Sequence, residues 1–599
     1  MQRKRTNYNA LRIMVAAGMV TACTVEEGAS APPAADADGA NAIVADIRAD
    51  SNRDGDVRFD DSDAEKTRWD AKTGAVFLAN IDDDQERCKK VSDDYAIDKC
   101  NDAADDVVNG PDDVLDLARI KTRPWPQAPE GTTARLEIAT ESARDLVRLF
   151  KKTGPGAEDF ELLVLEDGLS REDVQAGVEL GIEAKDVVRD ASAWDGYVDV
   201  RLVVTTSAGE ATDTVRLRVS PVMTSHHLLK AEKVWVSDTG TPGNADMRKD
   251  LTGVCAPTLI DDEDPWTQDF FETAFMSMPG AGGGQHVMHV NYRSANVYEP
   301  GEKKSPLRAA GQVVFSKMRG KDSAGIQQFD VRHEQQMDSL NSFGNFETVP
   351  PYGDFPLGRV LRGRTKTFYP DKAFTKMIDA QAIQLPAIDI DTSWLVVGHV
   401  DETLSFVHAK SARGWVLLAN DARLAKKMLE DQVAKGNGSV PMFVDKTWID
   451  WDTDKEIPAQ ITIADVLADT EVMKASADAA VEVDGQVAAI KAATGLSDAE
   501  IVHVPFLHTT YAGGSIAYQP GMVNGLYLGD GRFIAPDPHG PQIDGKDIFE
   551  EAMKEALAPY GVDVTFVEDW EYHVSMGEVH CGTNTTRAIP ETKWWETGR

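Results

Sequence analysis

Gly577-Glu578-Val579-His580-Cys581-Gly582-Thr583-Asn584 places a cysteine between a histidine and a glycine, close to the end of a 599-residue chain. The nearest cysteine upstream is Cys255, so the motif is not a CxxC metal or redox pair. Glycines at 577 and 582 let backbone approach a ligand with no side chain in the way. A thiol in this setting is a candidate nucleophile. The competing reading is the ordinary one for a free cysteine, a small inert hydrophobe in a core. A base, a substrate clamp and a compartment must come from the rest of the chain.

Hydrophobic residues make up 42% of the sequence, enough for cores, and the length leaves room for several domains. Acidic residues number 99 against 62 basic ones, for a net charge of −37. That balance argues against nucleic acid as a partner, since phosphate backbones are held by Lys and Arg. It suits calcium, cationic substrates or a solvated acidic surface. Arg3, Lys4, Arg5 and Arg12 precede a short apolar run, Ile13 to Val20, too short to span a bilayer and typical of a secretory leader. Val20-Thr21-Ala22-Cys23 resembles the lipobox of bacterial lipoproteins. The resemblance implies removal of residues 1–22, lipidation of Cys23, and an exported protein held at the cell envelope or surface, touching membrane only through that anchor. A plain signal peptide cut elsewhere is the alternative. Residues 23–42, rich in Ala, Pro, Gly and acids, read as a disordered tether. In an exported chain Cys88 and Cys100 are close enough in sequence to close a small disulfide loop. Cys255 reads as core.

Residues 43–222 carry short alternating runs, such as Tyr197-Val198-Asp199-Val200-Arg201-Leu202 and Thr214-Val215-Arg216-Leu217-Arg218-Val219, separated by a turn around Ser207-Ala208-Gly209. An all-β sandwich is expected. Three acidic loops fall in it. Asp50, Asn52, Asp54 and Asp56 space oxygen ligands two residues apart and turn at Gly55, although Asp61 stands where a full EF-hand has its Glu. Asn80, Asp82 and Asp84 form a second loop, Asp113 and Asp116 a third; together they point to structural Ca2+.

From 223 onward strands alternate with helices. Trp415-Val416-Leu417-Leu418-Ala419 reads as a buried strand, with Asn420 capping a helix that ends near Gly436. Asp547 and Glu550 form a capping-box pattern before a helix with Phe549, Met553 and Leu557 on one face; Gly561 closes it, and a strand over 562–566 leads towards Cys581. Gly280-Ala281-Gly282-Gly283-Gly284 lacks the spacing of a nucleotide-binding loop. Two segments look chemical. Trp394-Leu395-Val396-Val397-Gly398-His399-Val400-Asp401 reads as a strand running out at a glycine and presenting His399 and Asp401 on one face, a candidate acid–base pair. Trp266, three residues before Asp269, offers a flat wall and a charge suited to a guanidinium. Each alone is as well explained by core packing.

Taken together these segments resemble the calcium-dependent protein-arginine deiminases. Gly577 to Asn584 is similar to the family's nucleophile motif, Val397-Gly398-His399-Val400-Asp401-Glu402 to its histidine motif, and Trp266-x-Gln268-Asp269 to its guanidinium-binding segment. Asp338 to Glu347, Tyr352 to Arg359 and Lys593-Trp594-Trp595 extend the likeness. The resemblance implies a multidomain fold: an α/β pseudo-five-fold propeller catalytic domain over 223–599, preceded by an all-β immunoglobulin-like sandwich. It also implies the activity, calcium-dependent hydrolysis of peptidyl arginine to citrulline and ammonia through a cysteine thiouronium, with arginine-containing proteins or peptides as substrate. Asp269 and Asp401 would clamp the guanidinium, Cys581 attack it, and His399 protonate ammonia and then activate water. A thiolate beside a protonated histidine is expected to have a lowered pKa. Calcium near the site would be held by Gln268, Glu272, the carbonyls of Phe343 and Phe346, and Glu347, and Cys581 is expected to be competent only when they hold it. Trp266 would line the substrate, and Arg293 is matched to one of the family's two backbone-binding arginines, with Ala295 in place of the other. Phe270 and Asn291-Tyr292-Arg293 depart from the pattern of the family's second nearby calcium site. The rival readings are an enzyme acting on free arginine or another small guanidino compound, by deimination or amidino transfer, a Cys-His acyl-transfer enzyme, and a non-catalytic calcium-stabilised surface binder. Neither oligomeric state nor natural substrate is legible.

Overall fold

The alternation at Tyr197–Leu202 and Thr214–Val219 extends into a long hairpin. Strands Tyr197–Thr206 and Gly209–Val219 pair antiparallel from Tyr197↔Arg218 to Thr206↔Gly209. They form the middle of a four-stranded sheet, flanked by Thr133–Ile138 and by Ala75–Phe77, the latter parallel to Leu217–Val219. A second, five-stranded antiparallel sheet runs in the order Ile47–Ala49, Ala118–Thr122, Glu179–Ala184, Val147–Lys152, Phe160–Leu162. Val200 and Leu217 from one sheet and Leu149 and Ile182 from the other belong to one buried cluster, so the sheets share a core.

This computed structural model describes residues 42–62, 65–332, 335–366, 370–450, 453 and 455–599; the side chains of residues 335–337 are also outside it. The basic leader and Cys23 therefore lie outside the described residues. Ile43–Arg599 is one compact unit. Among the described residues no helix is long and apolar enough to cross a membrane.

Beyond Met223 one pairing scheme occurs five times among the described residues: an antiparallel pair whose second strand then pairs parallel with a third. Parallel pairing needs a crossover. Helices Pro242–Thr252, Lys372–Ala380 and Ile548–Leu557 each supply one, and Ala422–Ala434 with Thr470–Thr494 supply another. Among the described residues none of the sheets closes on itself. In four repeats the strands come from neighbouring sequence. In the fifth, Thr583–Arg587 pairs antiparallel with Ala231–Ser237, which pairs parallel with Thr258–Ile260. The end of the chain is thereby built into the beginning of this region, and Cys581 is delivered two residues before that strand. The tail then docks on the N-terminal sheets, with Trp594 stacked on Trp69 at 5.6 Å.

Three local expectations change. Residues 394–401 do not form a strand: Leu395 makes an isolated bridge to Ser515, and Gly398 takes φ 86°, a left-handed turn that ends any extended run. The helix after Trp415–Asp421 is capped by Asp421, whose carboxylate accepts from the Leu424 amide at 2.9 Å. Asn420 instead donates to the Glu402 carbonyl at 2.8 Å, bracing the loop that carries His399. Asp547 caps its helix alone, since Glu550 pairs with Lys554 at 2.8 Å rather than returning to the cap.

Arg293 is placed as a strut. It is fully buried, with Nη1 2.6 Å from Asp94 and 3.1 Å from Gln327, and Nη2 donating to the Arg308 carbonyl at 3.0 Å. The bond to Asp94 ties that loop to the first repeat, while those to Gln327 and Arg308 brace the repeat itself. Arg293→Ala leaves a carboxylate buried without its cation and should cost about 3–5 kcal/mol in urea unfolding followed by tryptophan fluorescence. Adding Asp94→Asn should recover part of that loss; no recovery would mean the pair is not the source.

Candidate active site

Asp269 sits in the single helical turn Thr267–Phe270, immediately before the strand Phe271–Gly280. His399 and Asp401 lie on the loop just described, and Cys581 in the turn between helix Trp570–Val574 and strand Thr583–Arg587. Tertiary structure brings them together: Trp266, Asp269, His399 and Cys581 line one cavity of about 260 Å³, with Val397 and Met576. Asp401 lies against it, its Oδ2 3.6 Å from Cys581 Sγ and 2.9 Å from His580 Nδ1. Trp266 packs so closely on Gly577 that a Cβ there would fall 2.2 Å from its ring. Gly344 is equally constrained, since a Cβ would meet His399 Nδ1 at 2.6 Å and the Asp401 carboxylate at 3.0 Å.

The carboxylates are held from behind and left open in front. Arg308 binds Asp264 through two nitrogens at 2.6 and 2.7 Å and Asp269 Oδ2 at 3.0 Å. Oδ1 of Asp269 and Oδ1 of Asp401 are buried and accept no hydrogen bond. Buried polar atoms normally find partners, and unpaired ones in a cleft point to a ligand. His399 Nε2 donates to the Ser339 carbonyl at 2.8 Å, and its Nδ1 lies 3.8 Å from Asp269 Oδ1. Burial alone would depress the His399 pKa, but Asp269 and Asp401 outweigh it and raise it above the usual value.

Cys581 behaves otherwise than expected. Burial, then the negative charge of Asp401 and Asp269, push its thiol well above the ordinary range. Hydrogen bonds from the Glu578 backbone and the Asn524 side chain act in the opposite direction and do not offset the rise. Asn524, which nothing in the sequence reading singled out, organises the turn: Oδ1 accepts from the amides of His580 at 3.1 Å and Cys581 at 3.3 Å, and Nδ2 lies 3.4 Å from Sγ. Its setting, Gly521-Met522-Val523-Asn524-Gly525, was a weak signal; Arg308 offered none. Arg293 is not at the cavity.

The expected cation ligands also gather. Gln268 Nε2 donates to Glu272 at 2.8 Å and to the Phe343 carbonyl at 3.3 Å. Burial and then Glu347 raise the Glu272 pKa well above normal, and burial pushes Glu347 up to about 8. Glu347 Oε1 accepts no hydrogen bond. Phe346 opens the strand Phe346–Val349 that carries Glu347. Two carboxylates, an amide and carbonyl oxygens in a buried cluster fit a hard divalent cation.

In the N-terminal region Asp82, Asp84 and Asp102 converge within 4.8 Å, and Asp116 converges likewise with His286 and Asp322 of the first repeat. Both Asp84 oxygens and Asp82 Oδ1 lack hydrogen bonds, and burial with neighbouring acids raises Asp84 to about 7. Asn80 Nδ2 bridges Asp113 and Glu183 at 2.6 and 2.8 Å. The Asp50 loop differs: Asp50 accepts from the amides of Asp54 and Gly55, Asn52 donates to Asp54, and Arg58 pairs with Asp54, so the loop binds mainly to itself. Cys88 and Cys100 form a disulfide.

A family model for protein-arginine deiminases matches residues 210–596, a span containing Asp269, His399, Asp401 and Cys581. The chain belongs to the protein-arginine deiminase family. Human protein-arginine deiminase type-4 is 30% identical over 406 residues, 64% of this chain and 56% of that protein. The mouse type-1 enzyme is 26% identical over 589 residues, 92% of this chain and 82% of that protein. The chain thus spans little more than half the length of the type-4 deiminase. A solved agmatine deiminase of Enterococcus faecalis aligns at a TM-score of 0.33 with 10% identity, over 61% of this chain and 96% of that one, too weak an overlap to bear weight.

A raised thiol pKa makes a prediction for this deiminase-family site. The thiolate fraction should climb about tenfold per pH unit up to that pKa. In a Cys255→Ser background, the rate of iodoacetamide labelling at Cys581 should keep rising from pH 7 to 9; a plateau below pH 8 would contradict the electrostatic account.

Proposed function

We propose that this chain hydrolyses peptidyl arginine to citrulline and ammonia. The observation that carries the reading is the pair of carboxylate oxygens without hydrogen bonds among the described residues, Asp269 Oδ1 in the Cys581 cavity and Asp401 Oδ1 on the carboxylate whose other oxygen contacts Cys581 Sγ. Two carboxylates are the complement of a guanidinium. An acyl-transfer site would instead present donors to an oxyanion. With the cation seated, its charge offsets both carboxylates and so removes the part of the Cys581 pKa rise that adds to burial, which favours ionisation of the sulfur in the complex. Sγ then forms a bond to the guanidinium carbon. His399 gives a proton to the departing nitrogen, the C–N bond breaks, and ammonia leaves a thiouronium. Water, deprotonated by His399, adds to that carbon, and the C–S bond breaks to give citrulline and free Cys581.

Ca2+ is the proposed cofactor, held by Gln268, Glu272, Glu347 and the Phe343 and Phe346 carbonyls. Bound there, it would neutralise two buried carboxylates whose repulsion otherwise opposes this arrangement. The Asp82–Asp84–Asp102 group, with Asp113 and Asp116, is the proposed structural calcium region. Five like repeats support a pseudo-five-fold propeller, and the two sheets sharing a core support an immunoglobulin-like sandwich. Export with a lipid on Cys23 rests on Val20-Thr21-Ala22-Cys23, and the Cys88–Cys100 disulfide is consistent with an oxidising compartment.

Citrulline release from an N-blocked arginine amide should exceed that from free arginine, fall on chelation and return with Ca2+. Cys581→Ser should lower kcat by roughly a thousandfold or more. Undiminished turnover in that variant would remove the nucleophile assignment, and equal rates on free arginine would favour a small-molecule enzyme.

A further inference from the structure

We propose that His227, His580 and Glu347 form a transition-metal site that takes Zn2+ directly behind Asp401. One ligand atom from each of these buried residues lies within 4.8 Å of the others. His227 Nε2 contacts Glu347 Oε2, and His580 Nε2 is 4.0 Å from Glu347 Oε1, the oxygen that accepts no hydrogen bond. The two imidazole rings are 5.4 Å apart. His580 is already oriented for ligation. Its Nδ1 is fixed by Asp401 Oδ2 at 2.9 Å, which turns Nε2 towards Glu347. A carboxylate holding the far nitrogen of a histidine is the arrangement that sets tautomer and ring direction at zinc sites.

The donor set decides the metal. Two imidazole nitrogens and one carboxylate, with a fourth position for water, suit zinc, whereas calcium takes six to eight oxygens. Gln268, Glu272 and the Phe343 carbonyl form an oxygen-rich group in which Glu272 feels the charge of Glu347, whereas the histidines offer nitrogens to the same carboxylate. Glu347 cannot serve both fully. Zinc would draw it towards the histidines, keep His580 on Asp401, and oppose calcium. That antagonism rests on the calcium-dependent reading above; zinc binding itself does not.

Full-length chain, stripped with chelator and dialysed against ZnCl2, should retain about one equivalent of zinc at this set. X-ray absorption should show two imidazoles and oxygen, with no sulfur. Affinity should fall by roughly tenfold or more in His227→Asn while being kept in Cys581→Ser and in His286→Asn, with far-UV circular dichroism unchanged. If activity is calcium-dependent, zinc should raise the calcium concentration needed for half-maximal citrulline release in wild type more than in His227→Asn. A sulfur ligand, unchanged affinity in His227→Asn, or loss in His286→Asn alone overturns the site. Zinc bound as described with no citrulline formed under any condition would leave the site standing and overturn the deiminase reading.

Discussion

The pairing of Thr583–Arg587 with Ala231–Ser237 is the contact on which the site depends. Without it Cys581 would sit on a free C-terminal segment, more than 300 residues from Asp269 in sequence. With it, the Cys581 carbonyl accepts from the Gln268 amide at 3.0 Å, so nucleophile, first carboxylate and cation ligands are joined through one backbone bond. Arg587 on the same strand donates to the carbonyls of His227, Leu229 and Tyr527, fastening it to the last repeat as well. Asp269 and Cys581 sit in turns immediately beside strands, so the paired strands fix the positions of both.

Charge is the second organising constraint. The excess of acids is not only a solvated surface. Asp82, Asp102, Glu347 and Asp401 are buried, and desolvating a carboxylate is costly unless something offsets it. The molecule resolves this in two ways. Some acids meet a buried arginine, as Asp94 meets Arg293 and Asp264 and Asp269 meet Arg308. Others, including Asp84 and Glu347, lie buried beside further acids, which raises their pKa, and a proton or a cation relieves that cost. Structural arginines and ligand-binding acids are thus two outcomes of the same desolvation cost. Arg293 and Arg308 show how sharply the outcome depends on position, since the first braces the fold and the second aims a carboxylate.

Much of this was legible beforehand because it is local. The hairpin over 197–219 follows from period-two alternation and a turn at Ala208-Gly209, and the helix over 548–557 from Asp547 and the spacing of Phe549, Met553 and Leu557. The 394–401 segment misled because an apolar run of that length reads equally as strand or buried loop, and Gly398 decided for the loop. Asn420 and Asp421 compete as caps on equal propensity; Asn420 lost because Glu402 offered its side chain a buried carbonyl. Nothing in the sequence marked Arg308 or His227, and only flanking glycines hinted at Asn524; the roles of all three arise from partners far away in the chain.

By itself the sequence determined the residue types of the site, the family they resemble and the places where acids crowd, because motif chemistry and hydrophobic period are written in short windows. Only tertiary structure decided which side chains meet. It placed Arg293 in the core, raised the Cys581 pKa through burial and then Asp401 and Asp269, drew Asp102, His286 and Asp322 into the acidic groups, and set His227 and His580 about Glu347. Burial and electrostatic coupling depend on distances in space, and a linear order of residues does not contain them until strands from both ends of the chain have paired.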